Sequence, residues 1–381
     1  MTDLIRAGLL ALVLSVNLAA PVSAGPLEDG VDAYEHRNYS AALELLRPLA
    51  DQGNDAAQAY LGNMYASGQG APQDYAEALK WYRKAADQGD ALAQARLGNV
   101  FVSGQGVPQD HAEAVKWYRK AAEQGLAVAE FNLGVAYAIG QVVPRDHAEA
   151  VKWYRRAANQ GHAGAQHNLG VMFATGQGVS EDHAEAVKWY RKAADQSLAD
   201  AQYDLGVAYA TGQGVPQGHA EAVKWFRKAA NQGLADAQSG LGVAYATGQG
   251  VPQDYADAVK WYRKAADQGF VQAQYNLAAM YDSGQGVPQD YAEAAKWYRK
   301  AADRGFAQAQ SYLGALYAKG QGVPRDYVEA YKWFGLAAAR FAASDAVLRD
   351  GAVSNQQRIA AGMTPAQIAE AQRLAREWKP E

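Results

Sequence analysis

The chain has no cysteine, which excludes disulfides, thiolate metal ligands, a cysteine nucleophile and a lipid-bearing N-terminal cysteine. This absence leaves the compartment open, since an exported protein need not use disulfides. No charge of one sign prevails either. The 36 Lys and Arg against 40 Asp and Glu give a net charge of −4, and the two signs are interspersed. A basic stripe that would hold nucleic acid by neutralising phosphates is therefore not expected. Beyond residue 24, charges recur every few residues and no apolar run is long enough to span a bilayer.

The first 24 residues read differently. Arg6 lies in a short N-terminal region, followed by an apolar stretch from Ala7 to Ala20 broken only by Gly8, Ser15 and Asn17. Pro21 interrupts it, and Val22-Ser23-Ala24 supplies small residues for cleavage. This is the layout of a secretory signal peptide, and the run is short for a membrane anchor. A mature chain beginning near Gly25, periplasmic or secreted and without a membrane span, is the expectation.

What the chain has in abundance is self-similarity. Trp81, Trp117, Trp153, Trp189, Trp225, Trp261, Trp297 and Trp333 fall 36 residues apart. Leu61, Leu97, Leu133, Leu169, Leu205, Leu241, Leu277 and Leu313 keep the same period, each followed by Gly except at Ala278. Two independent columns with one period mark a tandem-repeat array.

One unit explains the rest. From Asp90 to Val102, Ala93, Leu97, Val100 and Phe101 share a face at helical spacing. Gly98 beside that stripe costs about 1 kcal/mol of helix propensity, so its recurrence predicts close helix–helix approach. Ser103-Gly104-Gln105-Gly106-Val107-Pro108 breaks the helix, and Asp110 with Glu113 caps a second one. That helix buries Ala114, Trp117, Tyr118 and Ala121, turns Lys116, Arg119 and Lys120 to water, and stops near Gly125. The cap recurs as Asp in every 36-residue unit except at Gly218, and the stop recurs as Gly from Gly89 to Gly305 except at Ser197.

The pattern A-x-x-x-L-G-x-x-Y, G-x-G-V, D, then A-x-x-W-Y-x-K-A-A-x-x-G resembles the Sel-1-like repeat, a relative of the tetratricopeptide repeat, over about residues 54 to 340. The resemblance implies an all-α fold: a right-handed α-solenoid superhelix of about eight 36-residue helix–turn–helix repeats with atypical capping ends. The expected organisation is a signal peptide at 1–24, a tetratricopeptide-like hairpin at 25–53, the array at 54–340 and capping helices at 341–381. In the first hairpin Gly30, Tyr39 and Ala42 carry the tetratricopeptide likeness. At the other end Thr364-Pro365-Ala366-Gln367 starts a helix. Ile368, Ala371, Leu374, Ala375 and Trp378 give it an apolar face, read as a lid on the last repeat, with a detachable binding helix as the alternative.

Chemistry-bearing motifs are few. The G-Q-G loops lack the Lys-Ser/Thr that a phosphate cradle needs, and no strand precedes them; they are turns. His111, His147, His183 and His219 share a position filled by Tyr75, Tyr255, Tyr291 and Tyr327 elsewhere, which is a packing slot rather than a metal site. His162 and His167, five apart on one helix, have poor ligand spacing. Some members of the resembling family are described as β-lactamases. Here no serine is followed three residues on by Lys, as Ser67, Ser103, Ser239, Ser283 and Ser311 illustrate, and the paired cysteines of those relatives are missing. No catalytic residue, metal or cofactor is expected.

Function is sought where copies diverge. Positions opposite the Leu97 stripe include those of Ala95, Arg96 and Asn99. The Ala95 position runs Ala59, Ala95, Phe131, His167, Tyr203, Ser239, Tyr275, Ser311. The Asn99 position runs Asn63, Asn99, Val135, Val171, Val207, Val243, Ala279, Ala315. The resemblance implies that first helices line the concave face, which would carry a valine strip with intermittent aromatics. Phe131, Val135, His167, Val171, Tyr203, Val207, Val243 and Tyr275 are the candidate partner-binding residues; packing of these valines against neighbouring repeats is the other reading. The expected function is an exported scaffold binding another protein or an extended peptide segment, in assembly or regulation of an envelope complex. The alternative is a cell-wall or polysaccharide-binding module using Tyr203, Tyr275, Asn132, Asn168 and Asn276 toward a glycan, and a hydrolase comes last. The export reading is checked by N-terminal sequencing of protein from its native host, which should give Gly25-Pro26-Leu27; an intact Met1 in a soluble cytoplasmic fraction would refute it.

Overall fold

The computed structural model of the protein describes residues 25–140 and 142–380; the signal-peptide segment lies outside the described residues. Regular structure among those residues is helical. Two compact units, Met1–Arg145 and Asp146–Glu381, divide the chain. The first holds α1 (Pro26–Glu35), α2 (Tyr39–Asp51), α3 (Asp55–Ser67), α4 (Tyr75–Asp87), α5 (Ala91–Ser103), α6 (His111–Glu123) and α7 (Ala127–Ile139). The second holds α8 (His147–Asn159), α9 (Ala163–Thr175), α10 (His183–Asp195), α11 (Ala199–Thr211), α12 (His219–Asn231), α13 (Ala235–Thr247) and α14 (Tyr255–Asp267). It continues with α15 (Val271–Ser283), α16 (Tyr291–Asp303), α17 (Ala307–Lys319), α18 (Tyr327–Arg340), α19 (Ala346–Ala360) and α20 (Pro365–Glu377). Within each unit, first and second helices alternate as a tandem helix–turn–helix solenoid.

The sequence dictates where each helix starts. Asp110 accepts the Glu113 amide at 2.9 Å and so satisfies a donor that the helix itself leaves orphaned. Glu113 does not return a bond to the cap; its carboxylate holds Lys116 Nζ at 2.8 Å. In α4, α8 and α18 the equivalent Glu77, Glu149 and Glu329 likewise hold Lys80, Lys152 and Lys332 and also accept the indole N–H of Trp81, Trp153 and Trp333 at 2.9–3.0 Å. In these three helices the N-terminal glutamate ties the buried tryptophan to its own helix. Gly218 leaves α12 without a side-chain cap.

Packing within a hairpin rests on the glycine after each leucine. A Cβ on Gly98 would lie 2.4 Å from Tyr118 Cε1, so the ring of α6 sits on the bare backbone of α5. Gly62, Gly170 and Gly242 meet Tyr82, Tyr190 and Tyr262 in the same way. The tryptophans are buried, with Trp261 only half-buried. Lys120 is exposed, as expected, and its ammonium lies 4.0 Å from the Trp117 ring centre. Lys84, Lys192, Lys228, Lys264 and Lys300 repeat the contact. Each such cation–π pair is worth about 0.5–1 kcal/mol.

Successive hairpins are joined by buried glutamines. Gln94 Nε2 donates to the Ala86 carbonyl at the end of α4, and its Oε1 accepts from Gln124 at 2.8 Å, which also donates to the Gly89 carbonyl. Three consecutive segments are fastened by two side chains, and carbonyls that the helix end leaves free are satisfied.

At the C-terminus Thr364 and Gln367 form a reciprocal capping box with Pro365 at the first helical position. α20 packs on α18: Ala371 is fully buried, Trp378 meets Trp333 edge-on at 6.2 Å, and the Arg340 guanidinium lies 4.3 Å from the Trp378 ring.

Two exceptions to the repeat have measurable consequences. Ser197 stands where other repeats have a left-handed glycine, and its φ is +66°. The equivalent Gly89 and Gly125 have open space around the missing Cβ, so only backbone strain distinguishes the serine. Ser197→Gly should therefore raise stability by about 1 kcal/mol, read as a higher urea midpoint; a lower one would mean that the serine side chain holds the turn. His162 caps α9 by accepting the Ala165 amide on Nδ1 at 3.1 Å, and burial holds its pKa below the ordinary histidine value of 6.5. The unfolded chain then takes up a proton that the fold resists. This contribution is full above the unfolded pKa and is lost as pH falls through the lowered folded value. Asn54 caps α3 at the same repeat position, accepting at 2.8 Å, so His162→Asn should reduce the drop in melting temperature between neutral and mildly acidic pH. An identical drop in the variant would assign the pH dependence elsewhere.

Candidate partner-binding site

The tyrosine ring that rests on the first-helix glycine has a second face, which walls a pocket toward the next repeat. In the first unit this pocket lies between α5, α6 and α7, is lined by Val102, His111, Tyr118, Asn132, Val135, Ile139 and Val142 among others, and measures ≈ 200 Å³. Tyr118 Oη donates to Asn99 Oδ1 at 2.7 Å, and Asn132 Nδ2 stands 3.5 Å from the same oxygen. Apart from this polar floor and the His111 ring the walls are apolar.

Three of the lining residues break the repeat. Ile139 stands where other copies have Ser67, Ser103, Thr175, Thr211, Thr247, Ser283 or Lys319. Those hydroxyls turn back onto their own helix, as Thr175 does onto the Val171 carbonyl at 2.8 Å; isoleucine cannot, and it is 61% exposed. Val102, 38% exposed, replaces alanine in every other copy except Asp282. Val142, 36% exposed, replaces a glycine. That glycine has φ near +75° and lies against the first turn of the preceding second helix. A Cβ on Gly106 would be 2.9 Å from the Tyr75 carbonyl carbon, and one on Gly214 would be 2.1 Å from His183 O. Val142 lines the pocket beside His111.

The same positions, two repeats later, make a pocket in the second unit. Ala174, His183, Tyr190, Asp204 and Val207 replace Val102, His111, Tyr118, Asn132 and Val135, and the cavity is ≈ 90 Å³. Its floor is a carboxylate. His167 Nε2 lies 2.7 Å from Asp204 Oδ2, and His183 Nε2 lies 3.1 Å from Glu181 Oε1. Burial, and then the Asp204 charge, pushes the Tyr190 phenol well above its ordinary range. Beyond the last repeat, α19 takes the place of a following first helix. Asn355, Arg358 and Ile359 close a third pocket of ≈ 470 Å³ against Ala318, Tyr327 and Phe334. Among the described residues no group of three His, Cys, Asp or Glu could hold a metal ion.

The eight residues expected to bind a partner do not form one open strip. Val135 and Val207 line the two pockets, and Val243 on α13 is 40% exposed. Phe131 on α7 is half-buried. Val171 packs against the cluster around Ala186 and Leu205. His167 and Tyr203 face the rings of Tyr190 and Phe226 at 5.8 and 5.7 Å. Tyr275 is surrounded by Tyr298, Phe306 and Tyr312 at 5.3–5.8 Å. The Ala95 position, expected opposite the core, is thus a packing position against the second-helix aromatic, and Ala95 itself is buried. Val102, Ile139, Val142 and the Tyr118 column were not among the expected residues. For Ile139 and Val142 the signal was present in the columns: an apolar residue where the other copies carry Ser, Thr or Lys, and Gly.

The Sel1 repeat family model matches residues 27–54, 55–90, 91–126, 127–162, 163–198, 199–234, 235–270, 271–306 and 307–340, nine repeats of which the first is the short N-terminal hairpin. A solved structure of a protective antigen present in uropathogenic Escherichia coli strains, displaying an SLR fold, is 31% identical over 93% of this chain and 91% of that one, with a TM-score of 0.62. A Sel1 repeat protein from Oxalobacter formigenes is 34% identical over 64% of this chain and 97% of its own, with a TM-score of 0.59. No curated protein matches the chain.

Proposed function

This chain belongs to the Sel1 repeat family, and from that premise we propose that it is an exported scaffold that holds an extended segment of a partner protein across its first-helix face, in assembly or regulation of an envelope complex. Sel1 repeat proteins generally mediate protein–protein interaction. The observation that carries the reading here is the patch of Val102, Ile139 and Val142 around the α5–α6–α7 pocket. Scattered exposed apolar side chains need no explanation, but three converging on one cavity, each against the rule of its column, do. Full burial of one such side chain by a partner is worth about 1.5–3 kcal/mol, enough for an anchor in a short peptide. The export part rests on the N-terminal segment and the absence of cysteine is compatible with it.

The array supplies its own control. Replacing Val102→Ala, Ile139→Thr and Val142→Gly gives this repeat the residues that its neighbours carry, so helix content and melting temperature should hold. Capture of a specific envelope protein by the chain from Gly25 onward should fall by about tenfold or more, as loss of an interface hot spot does. Undiminished capture would move the binding surface away from this pocket. Retention on peptidoglycan in place of any protein would favour the sugar-binding alternative.

A further inference from the structure

The equivalent pocket in the second unit differs from the apolar one at its floor, and that difference identifies a ligand chemistry. Asp204 is the acid in a column that otherwise holds Tyr60, Arg96, Asn132, Asn168, Gly240, Asn276 and Tyr312. Its carboxylate is held by His167 through one oxygen at 2.7 Å, and its side chain remains 31% exposed. A carboxylate accepts at both oxygens, so one hydrogen bond leaves it able to take another donor. Around it, Ala174, Tyr190 and Val207 offer apolar walls.

The wider electrostatics have one sign. The first helices α9, α11, α13 and α15 carry Asp200, Asp204, Asp236 and Asp282 and no Lys or Arg. The bases of α10 have partners outside the pocket lining. Lys188 is bound to Glu185 at 2.8 Å, Lys192 lies 4.0 Å from the Trp189 ring centre, and Arg191 bonds the Tyr209 hydroxyl. The remaining titratable groups at the pocket are His167, Tyr190 and His183, the last beside Glu181.

We propose that the Asp204 pocket takes a Lys or Arg side chain of the bound segment, its aliphatic stem against Tyr190 and Val207 and its cationic head on the Asp204 carboxylate. This rests on the reading of the first-helix face as a peptide-binding surface and names the peptide's chemistry. A long basic side chain suits such a pocket because its stem is apolar and only its head is charged, and a cation in a face free of competing bases meets no repulsion.

The test uses the chain from Gly25 onward and short synthetic peptides in which Leu or Phe is placed beside Lys, Arg, norleucine or Glu. Peptides with Lys or Arg should bind about tenfold tighter than those with norleucine, and those with Glu weakest, with the preference shrinking at high salt. Asp204→Asn should abolish the preference for the base while leaving the dependence on Leu or Phe intact. Asp200→Asn, an exposed acid on the same helix outside the pocket, should leave both intact. Equal binding of basic and norleucine peptides, or a base preference that survives Asp204→Asn or is lost equally in Asp200→Asn, overturns the assignment to this pocket. If no peptide binds, the peptide-binding reading fails and this inference fails with it; if peptides bind through Leu or Phe alone, only this inference fails.

Discussion

The contact on which the rest of the molecule depends is an aromatic ring lying on a glycine. With a Cβ at Gly98, the Tyr118 ring would have to move, since the added atom would sit 2.4 Å from it. Without one, first and second helices approach closely enough for the ring to be shared between two tasks. One face closes the hairpin, and the remainder walls the pocket toward the next repeat. A glycine that costs about 1 kcal/mol of helix propensity therefore sets both the helix spacing and the position of a binding wall. The one substitution in this column shows the coupling. Where Ala278 replaces glycine, the ring of Tyr298 also stacks on Tyr312 of the next repeat at 5.3 Å and 12°, so the same ring takes part in the hairpin and in the seam between repeats.

Much of this was legible in the sequence because a repeat supplies its own controls. Eight aligned copies separate the scaffold from the variable positions, and caps, stops and the close-approach glycine follow from elementary backbone chemistry. Two readings needed the third dimension. The helical wheel divides a helix into a buried and an open half, but a first helix inside a stack is flanked on both sides as well as beneath. The buried arc is consequently wider than half, which is why Ala95 is buried and Tyr203 is half-buried although both were placed opposite the core. Arg119, expected in water, is half-buried for a related reason: its long stem lets the guanidinium reach the Tyr137 hydroxyl of the next repeat at 2.8 Å. The pocket itself was illegible because its walls come from three helices, none of which carries the signal alone.

Local rules and global fold agree nearly everywhere in this chain, and that agreement gives the exceptions their weight. Ser197 and Gly218 break rules of the turns and caps, where the loss is a fraction of the total stability and nothing is gained nearby. Ile139 and Val142 break rules at a cavity, where the altered side chains are exposed to whatever approaches. The first kind reads as tolerated drift in a redundant array. The second places apolar surface in water, which is unfavourable in isolation, so its natural complement is a partner's apolar side chain.

Under the proposed function, a repeated pocket with a variable floor would give a monotonous scaffold its selectivity. Nearest-neighbour coupling keeps the backbone of each repeat alike, so the surroundings of the pocket change little from copy to copy. The floor position can then vary at small structural expense: amide at Asn132, carboxylate at Asp204, nothing at Gly240, amide again at Asn276. Each alternative rewards a different side chain of the ligand and penalises others, a carboxylate repelling an acid and leaving an apolar group beside an unsatisfied charge. Discrimination by several small sites in series needs no large energy at any of them, because the differences accumulate along an extended ligand while each remains near the 1–2 kcal/mol scale of a single contact. What the ordered array contributes is preorganisation: the walls are held by buried glycine–ring and glutamine–carbonyl contacts before any ligand arrives, so little ordering cost falls on the protein side.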